Sequence, residues 1–494
     1  MRVSKMRERT RRGGRDMISP VLSEATPLFH HQNDAVNFTL SRGGNAAILH
    51  ECGLGKTRTA IEIFKRLRVQ NPKLKMMVIA PLSLLNAAWE ADIAKFSNLT
   101  AQDLHDNFMI SEKHDVYLVN FETLISDKKT CILERFIRNY DIFCVVDESS
   151  RMKNHKAKTT KTLLKLCQFF KYRVVMSGTP APNGEYEYYA QMEFVKPGLL
   201  HPSFYAFRNT FFHLERNGQK LIQQGQFMTR SMAREIFSKG WKYAITPASR
   251  ENLMKRIAPI CHWAKKDECL DLPEQVDEIR TVELTAKQRV IYNEMKRQLI
   301  TEIQGKEIVA QAALTKLMKL REIVSGFAMD AEGNAYDIGE SPKIAELLNF
   351  AEEAGNQPII IWANFHWEIR KIREALSPLG RVVTLFSETE NRNESIKDFQ
   401  EGRARFLVAH PRSAAHGLTF INCSTQVFFS LDWSYEAHEQ ARARIHRAGQ
   451  KKSCLYIYLI ANETIDQQIL EALQKKEDAQ TLIDAIFKTN GVHV

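Results

Sequence analysis

The chain has no run of apolar residues approaching the ~20 needed to cross a bilayer, which argues against a helical membrane span. Its basic N-terminus is not followed by an apolar stretch, so the pattern of a secretory signal is missing too. None of the 8 cysteines (Cys52, Cys131, Cys144, Cys167, Cys261, Cys269, Cys423 and Cys454) forms a CxxC pair, and several sit inside apolar runs. That usage reads as reduced thiols in a cytosolic protein. Cys261, His262 and Cys269 lack the second ligand pair of a zinc site, so ordinary structural roles are expected for them. With 44% hydrophobic and 26% charged residues the composition is that of a globular protein. At 494 residues it is too long for one core, and two to four domains are expected.

Charge is less one-sided than the net value of +11 implies. Residues 1–15 hold seven Arg/Lys and one Glu, and so contribute +6 of it. This stretch reads either as a disordered tail that touches nucleic acid or as an upstream extension, with Met17 the natural start. The remaining excess permits a polyanionic partner without requiring one.

What is present is organised around Gly53-Leu54-Gly55-Lys56-Thr57. An apolar run, Ala46-Ala47-Ile48-Leu49, precedes it and a helical pattern, Ala60 to Phe64, follows. Strand, glycine-rich turn and helix is the context of a phosphate-binding loop: glycines let backbone N–H groups approach phosphates, and the helix N-terminus adds its dipole. Lys56 would reach the β- and γ-phosphates and the Thr57 hydroxyl would ligate Mg²⁺. The full GxxxxGK[ST] pattern is absent, and alone the motif also reads as a tight turn with a solvated lysine. Upstream, Leu28 to Phe38 is a short amphipathic helix whose Gln32 amide could read an adenine edge, or simply face solvent.

Further apolar runs follow at Met76–Ala80, Val116–Val119, Phe143–Val146 and Arg173–Met176, as expected for parallel strands covered on both faces. The third ends in Asp147-Glu148, two carboxylates at the strand end where open α/β sheets bind ligands. Asp147 would hold Mg²⁺ and Glu148 would orient or deprotonate an attacking water. Ser177-Gly178-Thr179-Pro180 closes the fourth run and alone reads as a turn. Residues 200–275 are irregular and aromatic, Glu283 to about Leu320 reads as helical throughout, and Gly326 to Pro342 is a turn-rich boundary. A second α/β unit then shows runs at Pro358–Trp362, Val382–Leu385, Arg405–Val408, Gln426–Phe429 and Leu455–Leu459. It carries no second phosphate loop but has Gln440-Ala441-Arg442-Ala443-Arg444-Ile445-His446-Arg447-Ala448-Gly449-Gln450. The spacing of Arg444 and Arg447 predicts one shared helix face, either solvated or presented as an arginine finger across a cleft.

Together these stretches resemble superfamily-two helicases, and within them the Swi/Snf-type ATPases, from about Leu28 to Ile469. Gln32 matches the adenine-reading glutamine, Glu51-Cys52-Gly53-Leu54-Gly55-Lys56-Thr57 the DEMGLGKT loop, and Ala80 through Trp89 a motif that contacts DNA phosphates. Asp147 to Asn154 stands for DEAHRLKN, Ser177 to Asn183 for TGTPLQN, and Ser413 to Phe420 for AGGVGLNL. Gln440 to Gln450 matches QAIDRAHRIGQ almost position by position. Ser150 replaces a histidine that helps couple ATP to DNA, and Ala443 replaces an aspartate, so both bear on coupling. The variant motifs resemble compact members encoded by bacteria and phages, which implies the cytoplasm of a bacterial or phage-infected cell.

The resemblance implies an α/β fold of two RecA-like lobes with mostly parallel sheets: lobe 1 over 17–200, a largely helical insertion and linker over 201–340, lobe 2 over 341–480, and tails at 1–16 and 481–494. It implies ATP and Mg²⁺ in the cleft, with Lys56, Thr57, Asp147 and Glu148 from lobe 1 and Gln440, Arg444 and Arg447 closing from lobe 2. Duplex DNA would lie across both lobes, held by phosphate contacts without sequence preference. The alternative is a nucleotide-dependent clamp or loader with little turnover, favoured by Ser150 and Ala443. An RNA helicase is disfavoured by the Gln440–Gln450 pattern.

Overall fold

The computed structural model describes residues 27–105, 108–216, 219–221, 242–305, 310–330, 332–414 and 418–475. Apolar runs without polar alternation need cover on both faces. In the first half they become β1 (Asn45–His50), β2 (Lys75–Ala80), β3 (Ala101–Asp103), β4 (Val116–Asn120), β5 (Ile142–Asp147) and β6 (Tyr172–Met176). A small antiparallel sheet of β7 (Phe212–Arg216), β8 (Gln219–Leu221) and β9 (Lys242–Ile245) follows, then β10 (Cys261–Ala264). Strands β1–β6 and β10 form a seven-stranded sheet, ordered β10-β1-β6-β5-β2-β4-β3, with every neighbouring pair parallel. Along β5, Cys144 and Val146 join an apolar cluster with Leu49 and Val175, while Phe143 and Val145 join another with Ile48 and Phe64. The helices α1 (His30–Ser41) and α2 (Lys56–Gln70) pack together on the second of these faces.

The second half repeats the arrangement. Strand β11 (Gln275–Val282) is followed by a hairpin of β12 (Phe327–Met329) and β13 (Ala335–Asp337). Then come β14 (Ile359–Trp362), β15 (Val382–Leu385), β16 (Phe406–Ala409), β17 (Thr425–Phe428) and β18 (Cys454–Ala461). All but the hairpin form a six-stranded parallel sheet in the order β11-β18-β17-β14-β16-β15. The fold is therefore α/β, two lobes each built on a mostly parallel sheet. No described helix is long and apolar enough to cross a membrane.

Residues 201–340 hold more strand than the expected helical insertion and linker. Strand β10 pairs with β1, Ala47 opposite Cys261, and β11 pairs along its whole length with β18. The chain thus leaves the first sheet at Ala264 and enters the second at Gln275. Both strands lacked an apolar run for a physical reason. Strand β11 lies at a sheet edge and is mostly exposed, so it tolerates Asp277, Glu278 and Arg280, and β10 is only four residues long. The stretch read as helical from Glu283 to Leu320 contains two helices, Ala286–Gly305 and Ala310–Ser325. The expected tails at 1–16 and 481–494 lie outside the described residues.

Strand order positions the site. Strands β1 and β5 flank β6, and the phosphate loop and carboxylate pair emerge from their C-terminal ends at the same edge of the sheet.

Candidate active site

After β1 the chain turns through Gly53 and Gly55, at φ 93° and 71°, into α2. Only glycine takes these angles freely, and the space also demands it. A Cβ on Gly55 would lie 2.3 Å from Nε2 of Gln32, and one on Gly53 would lie 3.2 Å from Cβ of Arg447 on the other lobe. Gln32 is buried on α1, where its Nε2 donates to the carbonyls of Leu54 (3.2 Å) and Gly55 (3.4 Å) and its Oε1 accepts from the Phe29 N–H (3.1 Å). His31 Nε2 donates to the Leu54 carbonyl at 2.9 Å. Neighbouring residues of α1 thus hold the loop from behind. Lys56 Nζ donates to the His50 (2.9 Å) and Glu51 (3.4 Å) carbonyls.

Strand β5 delivers the carboxylates. Asp147 accepts from the Trp89 indole N–H on Oδ2 (3.0 Å) and from the Glu148 backbone N–H on Oδ1 (2.9 Å). Trp89 is fully buried, so this end of the motif expected to contact DNA phosphates braces Asp147 instead. Glu148 sits at φ 49°, a left-handed conformation that costs a non-glycine residue energy and is found at functional sites. Its Oε2 is buried with no hydrogen-bond partner among the described residues. Burial pushes the Glu148 carboxyl up to about 7; Asp147 and Glu436 add to this, while Lys56 and Arg444 oppose it.

The second lobe supplies the opposite wall. The helix Tyr435–Arg442 ends before Arg444 and Arg447, so these do not share a helix face as their spacing predicts. Side chains replace the helix ladder there. Gln450 Nε2 donates to the Cys423 (2.8 Å) and Ile445 (3.2 Å) carbonyls, Arg444 Nε donates to the Gln440 carbonyl (2.7 Å), and Gly449 turns the chain at φ 99°. The turn still brings both arginines together: Nη1 of Arg444 (2.9 Å) and of Arg447 (3.2 Å) donate to the Leu418 carbonyl. Neither forms an ion pair among the described residues. Burial, reinforced by Arg447, holds the Arg444 guanidinium down to about 10, and burial lowers Arg447 likewise.

A cavity of about 430 Å³ separates these walls. Gly53, Gly55, Lys56, Thr57, Asp147 and Glu148 line one side, and Arg444 and Arg447 the other. Three expected site residues are not in its lining: Gln32 lies behind the loop, Leu54 is buried within it, and Gln440 borders a neighbouring cavity. That second cavity, of about 740 Å³, is lined also by Ser83, Arg151, Arg392, Arg412 and Glu436. Sequence reasoning missed Leu418 as the acceptor for both arginines, and Glu436; the only signal for Glu436 was its place one turn ahead of Gln440. Residues 415–417 of the glycine-rich motif lie outside the described residues.

A parallel-sheet lobe carrying a phosphate loop and acidic pair, faced by a second lobe with paired arginines, defines a two-lobed nucleotide-hydrolase architecture. Comparison with known proteins agrees. The family model for the SNF2-related domain matches residues 31–327, and that for the helicase conserved C-terminal domain matches residues 342–449. Putative protein p41 of Acyrthosiphon pisum secondary endosymbiont phage 1 is 24% identical over 457 residues, covering 87% of this chain and 92% of that protein. Transcription regulatory protein SNF2 of Saccharomyces cerevisiae is 23% identical over 474 residues, covering 88% of this chain and only 26% of its own length. The solved Sulfolobus solfataricus SWI2/SNF2 ATPase core in complex with dsDNA covers 95% of this chain and 96% of its own, at 23% identity and a TM-score of 0.43. The chain belongs to the SNF2-related family, and is an ATP-dependent helicase-like enzyme of the Swi/Snf type in superfamily two.

The clamp that Gln32 puts on the loop backbone has a measurable consequence. Gln32→Ala removes one of the donors to each of the Leu54 and Gly55 carbonyls and should raise KM for ATP and GTP alike, by about tenfold for the loss of two hydrogen bonds. Comparing steady-state KM for the two nucleotides checks it, and a loss confined to ATP would instead support reading of the adenine edge.

Proposed function

We propose that the chain is a DNA-stimulated motor that hydrolyses ATP to ADP and phosphate and tracks along duplex DNA without sequence preference. The observation that carries this reading is the single cavity shared by the phosphate loop, the carboxylate pair and the two arginines of the other lobe. Lys56 would exchange its two carbonyl acceptors for the β- and γ-phosphates. Asp147 keeps free lone pairs beside its two hydrogen bonds, and Thr57 lines the same cavity. That is an all-oxygen donor set suited to Mg²⁺, which when bound would supply positive charge against that of the phosphates. Glu148, with an unpartnered buried oxygen, would accept the proton of the attacking water. The buried Arg444 and half-buried Arg447, without an ion pair among the described residues, would find their counter-charge in the γ-phosphate, with Gln440 seating Arg444 through its carbonyl.

The neighbouring cavity supports DNA as the polyanion. Ser83, Arg151, Arg392 and Arg412 line it from both lobes. Arg151 pairs with Glu122 and Arg412 with Asp432, each at 3.4 Å and at partly exposed positions. Such surface pairs are weak, so phosphates can displace them, and phosphate contacts read no bases and need no melted duplex. The clamp or loader reading rests on the two departures in the motifs, of which Ala443 is buried and Ser150 bonds to the other lobe.

The raised Glu148 carboxyl sets the pH dependence. Below about 7 the group is protonated and cannot accept a proton, so kcat/KM for ATP should rise with pH through about 7. Glu148→Gln should retain ATP binding and lose roughly 10²–10⁴-fold in turnover, the usual share of a general base. A flat profile between pH 5.5 and 9, or normal turnover in the variant, removes this assignment.

Duplex DNA should stimulate ATP hydrolysis more than single-stranded DNA or RNA. Stimulation should fall with salt, with a log–log slope of about −0.9 per phosphate contact. Displacement of a triplex strand should accompany turnover while a forked duplex stays paired. Efficient fork unwinding, or stimulation by RNA alone, contradicts the proposal, and DNA binding with negligible turnover would favour the clamp.

A further inference from the structure

Ser150 stands where the family motif has a histidine, and the structure shows what fills that place. The 3₁₀ turn Ser149–Met152 directly follows Glu148. In it, Ser150 is buried and its Oγ donates to Oε1 of Glu436 at 2.8 Å, across the cleft between the lobes. Glu436 lies in the first turn of the helix Tyr435–Arg442. One turn on, Gln440 Nε2 reaches the same Oε1 at 3.5 Å, and the Gln440 carbonyl accepts from Arg444 Nε at 2.7 Å. On the other side, Ser149 Oγ donates to Oε1 of Gln191 (2.7 Å), whose Nε2 donates to the Pro180 carbonyl (2.6 Å). A continuous set of contacts therefore runs from the end of β6, past the carboxylate pair, to the arginine turn. A serine is too short to reach the second lobe unaided, and the longer glutamate supplies the reach from the far side.

We propose that Ser150 and Glu436 form an inter-lobe latch, in which Glu436 is a positioning residue that seats Arg444 and Arg447 against the phosphate loop. Glu436 is not among the residues lining the nucleotide cavity and acts through Gln440. A hydrogen bond to a carboxylate is stronger than one between neutral groups, so it favours this placement of the two lobes over others. The same carboxylate borders the basic cavity with Arg151, Arg392 and Arg412, which places the latch between the two candidate ligands.

This inference rests on the ATPase reading and is tested by steady-state ATP hydrolysis of the full chain with saturating duplex DNA. Ser150→Ala and Glu436→Ala should each lower kcat about tenfold while leaving ATP KM within about twofold. The double variant should be no slower than the slower single, because both changes break one bond. Ser150→Thr keeps the hydroxyl and should retain wild-type kcat, whereas Glu436→Asp, one methylene shorter, should behave like Glu436→Ala. Singles with wild-type kcat, losses that multiply in the double variant, or a failed Ser150→Thr rescue overturn the latch while wild-type turnover leaves the ATPase reading standing. A wild-type chain without turnover overturns both.

Discussion

Burial of charge around the cleft is the constraint on which the arrangement depends. Glu148 keeps an unpartnered oxygen, and Arg444 and Arg447 lie side by side with a carbonyl, not a carboxylate, as their shared acceptor. Removing such groups from water costs several kcal/mol per ion unless something compensates. Here the protein compensates only in part, which is why Glu148 rises and both arginines fall from their ordinary values. A site left short of counter-charge in this way favours an occupant carrying both negative charge and a proton to give up. A nucleoside triphosphate with its attacking water has both.

The scaffold holds that cleft through backbone contacts more than through ion pairs. Gln32 and His31 fix the loop by its carbonyls, Trp89 fixes Asp147, and Gln450 fixes the arginine turn. Each is a buried polar side chain spent on positioning, and each would be costly to leave unsatisfied. The parallel sheets beneath are covered on both faces and supply the rigidity. The lobe junction itself is polar and lined by cavities, so relative motion of the lobes is the motion the fold permits most readily.

Most of the sheet framework was legible in the sequence, because strands buried on both faces are continuous apolar runs. Those at Ala46–Leu49, Met76–Ala80, Phe143–Val146 and Pro358–Trp362 each became a central strand. Of the four edge strands of the parallel sheets only β15 was legible; β11 is exposed and charged, and β3 and β10 are only three and four residues long. At the site, the loop, the carboxylate pair and the arginines were legible from local spacing, and the structure brings them to one cavity. The hidden parts were contacts between distant segments. Gln32 on the loop carbonyls, Trp89 on Asp147 and Glu436 on Ser150 follow from the packing of elements and leave no local pattern. The arginine spacing misled about its own geometry, since three residues apart implies a helix face only while the helix continues.

The central claim is that one active site is built from both lobes, and Arg447 tests it most directly. Single-turnover and equilibrium measurements on Arg447→Ala should show turnover reduced by roughly 10³–10⁵, as for loss of an arginine finger, with ATP affinity changed far less. Arg447→Lys should not restore the rate, because lysine lacks the planar fork. Turnover within a few-fold of wild type in Arg447→Ala would contradict the account and leave the arginines as structural parts of the second lobe.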